Sequence, residues 1–179
     1  RVQSSPESLQ LLTDILTDAK MANAIVQEVL DFVRPIQLQV ETTALADAVH
    51  SAVQQADSQD RRGNIAVTVD VPTTLPRIQA DRHRLTQVFA NLLVNAYEGR
   101  GRKGHVTIRA TPTSIDDGGT TRDGVLVEVA DDGPGIPADV RDKVFDLFFT
   151  TKAKGSGLGV GVVRRIVDAH DGQLDLRSS

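Results

Sequence analysis

Two asparagines, Asn91 and Asn95, stand four residues apart in Asn91-Leu92-Leu93-Val94-Asn95-Ala96. At that spacing they share one face of a helix whose neighbouring positions are apolar. Asparagine is a poor helix former, and its amide is costly to bury without partners. Two kinds of partner fit: nearby backbone groups, or a magnesium ion held between phosphates, for which an amide oxygen is a suitable hard donor. Downstream lies Asp131-Asp132-Gly133-Pro134-Gly135-Ile136-Pro137. Asp131 can accept a hydrogen bond from an exocyclic amine such as the one adenine carries. Gly133 and Gly135 allow close backbone approach or positive φ. Read alone, the same residues make an ordinary turn after a strand. A second glycine turn, Gly155-Ser156-Gly157-Leu158-Gly159, opens into an apolar-periodic segment, Leu158 to Ala169. A glycine turn at a helix start presents N–H groups and a positive dipole end, which suits phosphate. By itself it is equally a plain helix start. Taken together, the three stretches suggest a nucleotide site, with the residues between the two glycine turns as a lid.

The elements that must position these residues are legible from periodicity. Arg82 to Glu98, capped by Asp81, reads as a helix burying Leu85, Val88, Phe89, Leu92, Leu93 and Ala96. A second helix runs from a Thr42 or Thr43 cap to Gln59, with Leu45, Ala48, Val49, Ala52, Val53 and Ala56 on one face. The last helix covers Leu158 to His170, and a short one starts at Pro137 or Ala138 and runs towards Phe145. Strands are expected at Ile36–Val40, Ile65–Val71, Val106–Ala110, Gly124–Ala130 and Gln173–Leu176. Thr111 to Asp123 is a polar hairpin connection, and Pro72 and Pro76 bound a loop. Helices mixed with hairpin-type neighbours imply an α+β fold, a two-layer α/β sandwich.

A separate helix precedes this domain. Ser4-Ser5-Pro6-Glu7 is a helix start signal. Leu9, Leu12, Leu16, Ala19, Val26, Leu30 and Val33 form one stripe, with Ile15, Ala22, Ile25, Val29 and Phe32 beside it. A helix from Pro6 to Val33 is about 40 Å long. A seam this wide suits a helical bundle completed by a second chain, with Asn23 fixing register, better than a helix lying on its own domain. Arg34-Pro35 ends the helix and marks the boundary, giving residues 1–34 and 35–179 as two units.

Composition sets limits. The 179 residues are 40% hydrophobic and 25% charged, as in ordinary globular chains, and only 3% aromatic, so the core must be aliphatic. A net charge of −4 with interspersed signs argues against nucleic acid as a partner. With no cysteine, disulfides and thiolate metal sites are excluded. No run reaches the roughly 18 apolar residues of a membrane span, so no membrane contact is expected of this stretch.

In their order, LTQVFANLLVNA (85–96), DDGPGIP (131–137), FDLFFTTK (145–152) and GSGLGVGVVRRIVDAHDGQL (155–174) resemble the boxes of the sensor histidine kinase ATPase domain. That domain belongs to the wider superfamily of gyrase, Hsp90 and MutL ATPases. The resemblance covers about Ile36 to Ser179, and the FFTTK form is similar to the nitrogen-regulator branch. VQEVLDFVRP (26–35) resembles the end of the second helix of the dimerisation and phosphotransfer bundle. The resemblance implies a Bergerat ATP-binding fold, a mixed sheet covered by helices, with ATP and Mg2+ as cofactors. It implies that Asn95 coordinates magnesium with Asn91 beside it, and that Asp131 binds the adenine amine. Gly133 and Gly135 would line the adenine end, with Ile136 against the base. Phe145, Phe148 and Phe149 would anchor the lid, and Lys152 would reach the terminal phosphates. Gly155, Gly157 and Gly159 would wrap the phosphate chain, with Leu158 as the hinge.

The implied activity is autophosphorylation, with the γ-phosphate passing to a histidine outside this chain. The implied partners are a second copy, through the N-terminal helix, and a response regulator receiver domain. The implied location is cytoplasmic, on a protein that can be membrane-anchored. The sequence departs from the pattern at Gly161 and Asp171, where relatives often have Ala and Gly, which are tolerable changes, and more consequentially in two further respects. No H-E-x-x-N/R-P type box surrounds His50, His83, His105 or His170. Glu98 stands where relatives often carry a basic or amide residue, so it is expected to turn away from phosphate. The alternatives are a non-catalytic nucleotide-sensing or scaffolding module, and an anti-sigma-type Ser/Thr kinase on the same fold.

Overall fold

The computed structural model describes residues 6–59, 64–99, 103–116, 119, 121–146, 148–150 and 157–178. In chain order the elements are α1 (Pro6–Val33), β1 (Glu41–Thr43), α2 (Leu45–Gln59), β2 (Asn64–Asp70), β3 (Ile78–Ala80), α3 (Arg82–Gly99), β4 (Lys103–Asp116), β5 (Thr121–Asp131) and α4 (Gly159–Ala169). The main sheet has the order β2-β4-β5. Strand β2 runs parallel to β4, with α3 in the connection between them, and β4 and β5 form an antiparallel hairpin. The sheet is therefore mixed, and the fold is α+β.

Alternation along the strands sets the two faces of the sheet. Ile65, Val106, Ile108 and Ala110 point into the core and are fully buried or nearly so. Val67, Val69, Val125, Val127 and Val129 pack against that core. The opposite face is polar: Arg109 donates from Nε to Asp70 Oδ2 at 3.0 Å, and Glu128 is its register partner on β5. Helices α2, α3 and α4 cover the apolar face with Leu45, Val49, Ala52, Val88, Phe89, Leu93, Tyr97, Val163 and Ile166. The core is aliphatic apart from Phe89 and Tyr97. Tyr97 is completely buried, and its hydroxyl donates to Asp57 Oδ1 on α2 at 3.0 Å.

Four local expectations are corrected. Ile36–Val40 is not a ladder strand, although its alternation is real, with Ile36 and Leu38 half-buried. Its Gln39 N–H goes to Asp81 Oδ2 (2.9 Å) instead of to a neighbouring strand. Strand pairing begins only at Glu41, where β1 meets β3 antiparallel. Thr42 and Thr43 thus lie in β1, and Thr43 Oγ1 donates to Ala80 O (3.1 Å) instead of capping α2. The short helix expected from Pro137 is a run of three-residue turns, including one 3₁₀ turn at Arg141–Lys143. Its bonds are Val140 N to Pro137 O, Lys143 N to Val140 O, Asp146 N to Lys143 O and Phe149 N to Asp146 O. Gln173–Leu176 forms no strand, and side chains engage the backbone on either side of it. Arg122 donates to Asp171 O (2.6 Å) and Arg141 to Ser178 O (2.9 Å).

One side chain joins three parts of the domain. Asp81 caps α3, accepting Arg84 N–H at Oδ1 (3.0 Å) while its Oδ2 holds Gln39. Its own N–H donates to His170 Nε2 (3.0 Å) at the end of α4. Nε2 is therefore the acceptor nitrogen, and Nδ1 carries the proton it donates to Ile166 O (2.8 Å). Burial alone would raise the Asp81 pKa. The backbone N–H groups of Arg84, Gln39 and His83, together with the Arg84 charge, outweigh burial and hold it below the ordinary 3.8. Because the folded value is depressed, the contribution of Asp81 to stability is present above the unfolded value and lost as pH falls through the folded one. Asp81→Ala is expected to cost about 1–2 kcal/mol in urea denaturation near neutral pH. The same variant should flatten the acid limb of stability against pH.

Helix α1 stands apart in its surface. Leu9, Leu12, Ile15, Leu16, Val26, Leu30 and Val33 are all exposed, Leu12 at 57% and Leu16 at 60%. Arg165 of α4 donates to Arg34 O (3.1 Å), just past the C-terminal end of α1. Among the described residues, no helix is long and apolar enough to cross a membrane.

Candidate functional site

The asparagine pair lies where α3 meets the start of α4. Both amides are half-buried. Asn91 Nδ2 donates to Gly159 O at 3.3 Å. A Cβ built on Gly159 would lie 3.8 Å from Asn95 Nδ2. The first residue of α4 therefore sits directly against both amides. Leu158 is the N-cap, and its side chain is 1% exposed, so an apolar anchor pins the helix start into the core. The N-cap residue makes no side-chain capping bond to this end of α4. The first-turn N–H groups of Gly159, Val160 and Gly161 lie at the positive end of the helix dipole. That combination of uncapped N–H groups and adjacent amide oxygens is suited to phosphate and a hard cation.

Gly157 shapes the approach. Its φ is +71°, a conformation glycine adopts without steric cost. A Cβ there would lie 2.4 Å from the carbonyl carbon of Phe148 and 2.7 Å from its oxygen. Phe148 itself has a φ of +62°. The chain leaving at Phe148 and the chain returning at Gly157 are therefore in backbone contact, forming a neck. Phe148 serves through its backbone, because its side chain is 58% exposed, while Phe149 is half-buried. Phe145 is held differently, with the Arg164 guanidinium of α4 5.4 Å from its ring centroid. Lys152 and Gly155, expected at the phosphates, lie outside the described residues.

The second cluster sits at the end of β5. Asp131 is the last residue of that strand and pairs with Val106. Strand alternation places it on the side of Val127 and Val129, the side the helices cover. Its carboxylate is exposed, and Oδ1 accepts the Gly133 N–H at 2.7 Å. The second oxygen, Oδ2, is left to accept a ligand proton. Gly135 has a φ of +76°, so the turn depends on glycine there. Ile136 is half-buried, and its N–H donates to Ser178 Oγ at 2.6 Å. Glu98 is exposed at the end of α3.

The structure brings Asn91, Asn95, Leu158 and Gly159 together. It sets Asp131, Gly133, Gly135 and Ile136 in one turn at the end of β5. Two supporting residues were not anticipated, Asp132 and Ser178. The Asp131-Asp132 doublet was a visible signal for the first; nothing in the sequence marks the second. Among the described residues, no group of three or more His, Cys, Asp or Glu side chains forms a metal site.

A family model described as histidine kinase-, DNA gyrase B-, and HSP90-like ATPase matches residues 80–179. The sensor histidine kinase ZraS of Escherichia coli strain K12 is 34% identical over 178 residues, which are 99% of this chain and 37% of the relative. The chain thus spans little more than a third of that relative's length. A crystal structure of full-length ShkA in complex with AMPPNP aligns with a TM-score of 0.65 and 29% identity, covering 92% of this chain and 34% of that one. Histidine kinase ThkA in complex with the response regulator protein TrrA aligns with a TM-score of 0.69 and 28% identity, covering 94% and 46%. With more than half of its length matched by that model, from Ala80 through α3, the sheet hairpin and α4, the chain belongs to the family of histidine kinase-, DNA gyrase B- and HSP90-like ATPases.

Proposed function

We propose that this chain binds ATP with magnesium and is the catalytic part of a sensor histidine kinase, passing the γ-phosphate to a histidine outside these 179 residues. The observation that carries the reading is the uncapped start of α4 resting on the Asn91–Asn95 pair. In this reading Asp131 accepts from the adenine amine, Gly133 and Gly135 line the adenine end, and Ile136 packs on the base. Asn95 holds magnesium, with Asn91 beside it. The donor set fits that ion: magnesium takes few protein ligands and keeps waters and substrate phosphates in its shell. When bound, it would neutralise charge on the phosphates. Gly157, Leu158 and Gly159 present α4 N–H groups to the phosphate chain, and the resemblance adds Lys152 and Gly155. Transfer by such a site is positioning plus electrostatics, with no covalent step on the domain.

Asn91 has a further implication. Family members that hydrolyse ATP resemble this helix but carry a glutamate there as general base for water. An amide cannot take that proton. The chain is therefore expected to hold ATP and turn it over slowly. Calorimetric titration of ATP and magnesium should show binding at or below millimolar concentration, weakened about tenfold in Asn95→Ala. Rapid phosphate release by the isolated chain would remove the Asn91 argument, and absence of binding would remove the whole reading.

Two wider roles complete the proposal. Residues 1–34 supply the second helix of a dimerisation and phosphotransfer bundle, since exposed leucines along α1 need a cover and a second copy supplies matching ones. Sedimentation showing only monomer at all concentrations would contradict it. A response regulator receiver is the proposed phosphate acceptor, by analogy with the ThkA–TrrA complex. The FFTTK stretch supports a nitrogen-regulator-like branch, and the proposed location of this part is cytoplasmic.

A further inference from the structure

The ladder between β4 and β5 ends with the pair Val106 and Asp131. One step further along the same register, His105 faces Asp132. Facing residues of a hydrogen-bonded antiparallel pair exchange two backbone bonds. Here only one is made by backbone alone: Asp132 N–H donates to His105 O at 3.2 Å. The returning bond, from His105 N–H, goes to the Asp132 side chain at Oδ1, at 2.8 Å. The carboxylate stands in for the Asp132 carbonyl. That substitution keeps the strand end paired while the backbone turns away towards Gly133. The turn is then closed by the neighbouring carboxylate, since Asp131 Oδ1 accepts Gly133 N–H at 2.7 Å. His105 is also tied on its other side, with Nε2 2.7 Å from Thr68 Oγ1 on β2. A chain of bonds thus crosses all three strands and ends beside Asp131.

We propose that Asp132 is a positioning residue for nucleotide binding: its carboxylate clamps β5 to His105 and so fixes where the Asp131 carboxylate stands. The inference rests on the reading of Asp131 as the adenine acceptor and extends it to a residue with no ligand contact of its own. Two adjacent aspartates divide the work. One faces the ligand, and the other completes the ladder so that the first cannot drift. Each needs an acceptor oxygen, but only Asp131 needs the charge-bearing carboxylate towards a ligand. An amide at position 132 retains the oxygen that His105 requires.

The test measures binding of ATP with magnesium by calorimetry, and amide hydrogen exchange at His105 and Gly133, in wild type, Asp132→Ala and Asp132→Asn. Asp132→Ala is expected to weaken ATP binding about tenfold and to accelerate exchange at both amides. Asp132→Asn is expected to restore affinity to within about twofold of wild type. Should Asp132→Ala fail to fold, Asp132→Glu replaces it, because the longer side chain cannot close the same ring on His105. A merely structural role would lower thermal stability and leave ATP affinity and Gly133 exchange unchanged, and that result would overturn the proposal. Wild-type protein that binds no ATP would instead overturn the adenine reading, while Gly133 exchange would still report whether the clamp holds the turn.

Discussion

Asp131→Asn is expected to reduce ATP affinity by about a hundredfold and to erase most of the preference for ATP over GTP, with thermal stability unchanged. A carboxylate only accepts hydrogen bonds. Adenine offers it an N–H donor, whereas guanine presents a carbonyl oxygen at the equivalent position, which a carboxylate repels. A site built to pair with a substrate N–H discriminates strongly, because the mismatched ligand leaves a buried polar group unpaired. An amide carries both an acceptor and a donor and can turn either towards the base, so the contrast collapses. Stability should hold because Asp131 is exposed and Asn keeps the acceptor that Gly133 N–H uses. Parallel titrations with the two nucleotides decide the matter. Equal ATP affinity in wild type and variant would mean that the base is read elsewhere.

Gly157→Ala carries the second large effect. At φ +71° any other residue is strained, by about 1–2 kcal/mol. The added Cβ would also lie 2.4 Å from the Phe148 carbonyl carbon, inside contact with backbone that cannot rotate away. The neck has to open, so α4 loses its seat against the turn. The expected outcome is a loss of about 2–4 kcal/mol in denaturant unfolding together with weakened ATP binding. Gly159→Ala makes the informative contrast. Its Cβ would find the Asn95 amide at 3.8 Å, an ordinary contact, and alanine favours a helix start over glycine. Gly159→Ala should therefore fold as well as wild type. If it nonetheless binds ATP poorly, close approach of the ligand to the α4 backbone is the reason glycine stands there.

The parts that were legible in the sequence are those whose burial repeats with a fixed period. Helices α2, α3 and α4 announce themselves through stripes such as Leu45-Ala48-Val49-Ala52, and their observed limits fall within three residues of the expected ones. Strands β2, β4 and β5 do so through alternating apolar residues. The misreading at Ile36–Val40 has a plain cause: a side chain took a place that periodicity assigns to backbone. Gln39 is held by a carboxylate 42 residues away, so a real alternation at Ile36–Val40 lacks a ladder. Strand β3 has three residues and is too short to show a period. The arms of the β4–β5 hairpin run on through Thr111–Asp116, where polar residues outnumber apolar ones and alternation is weak. The site followed the same rule. The asparagine pair stood out because amides interrupt an apolar stripe. Asp132 read as part of a turn, because its partner His105 lies 27 residues earlier. The bond that His170 accepts from Asp81 N–H spans 89 residues and leaves no local trace.

The contact between Phe148 and Gly157 changes how the segment between them can vary. A stretch whose two ends already touch is a closed ring to the rest of the domain, whatever its length. Residues added between these two ends are expected to leave the turns before Phe148 and the start of α4 in place. The thermodynamic penalty is only the slow growth of ring-closure entropy, about 0.6 kcal/mol for each doubling. The fold can therefore rewrite this one segment, in length as well as in sequence, without renegotiating its core. In the proposed reading, that separates the segment facing the nucleotide from what keeps the protein folded.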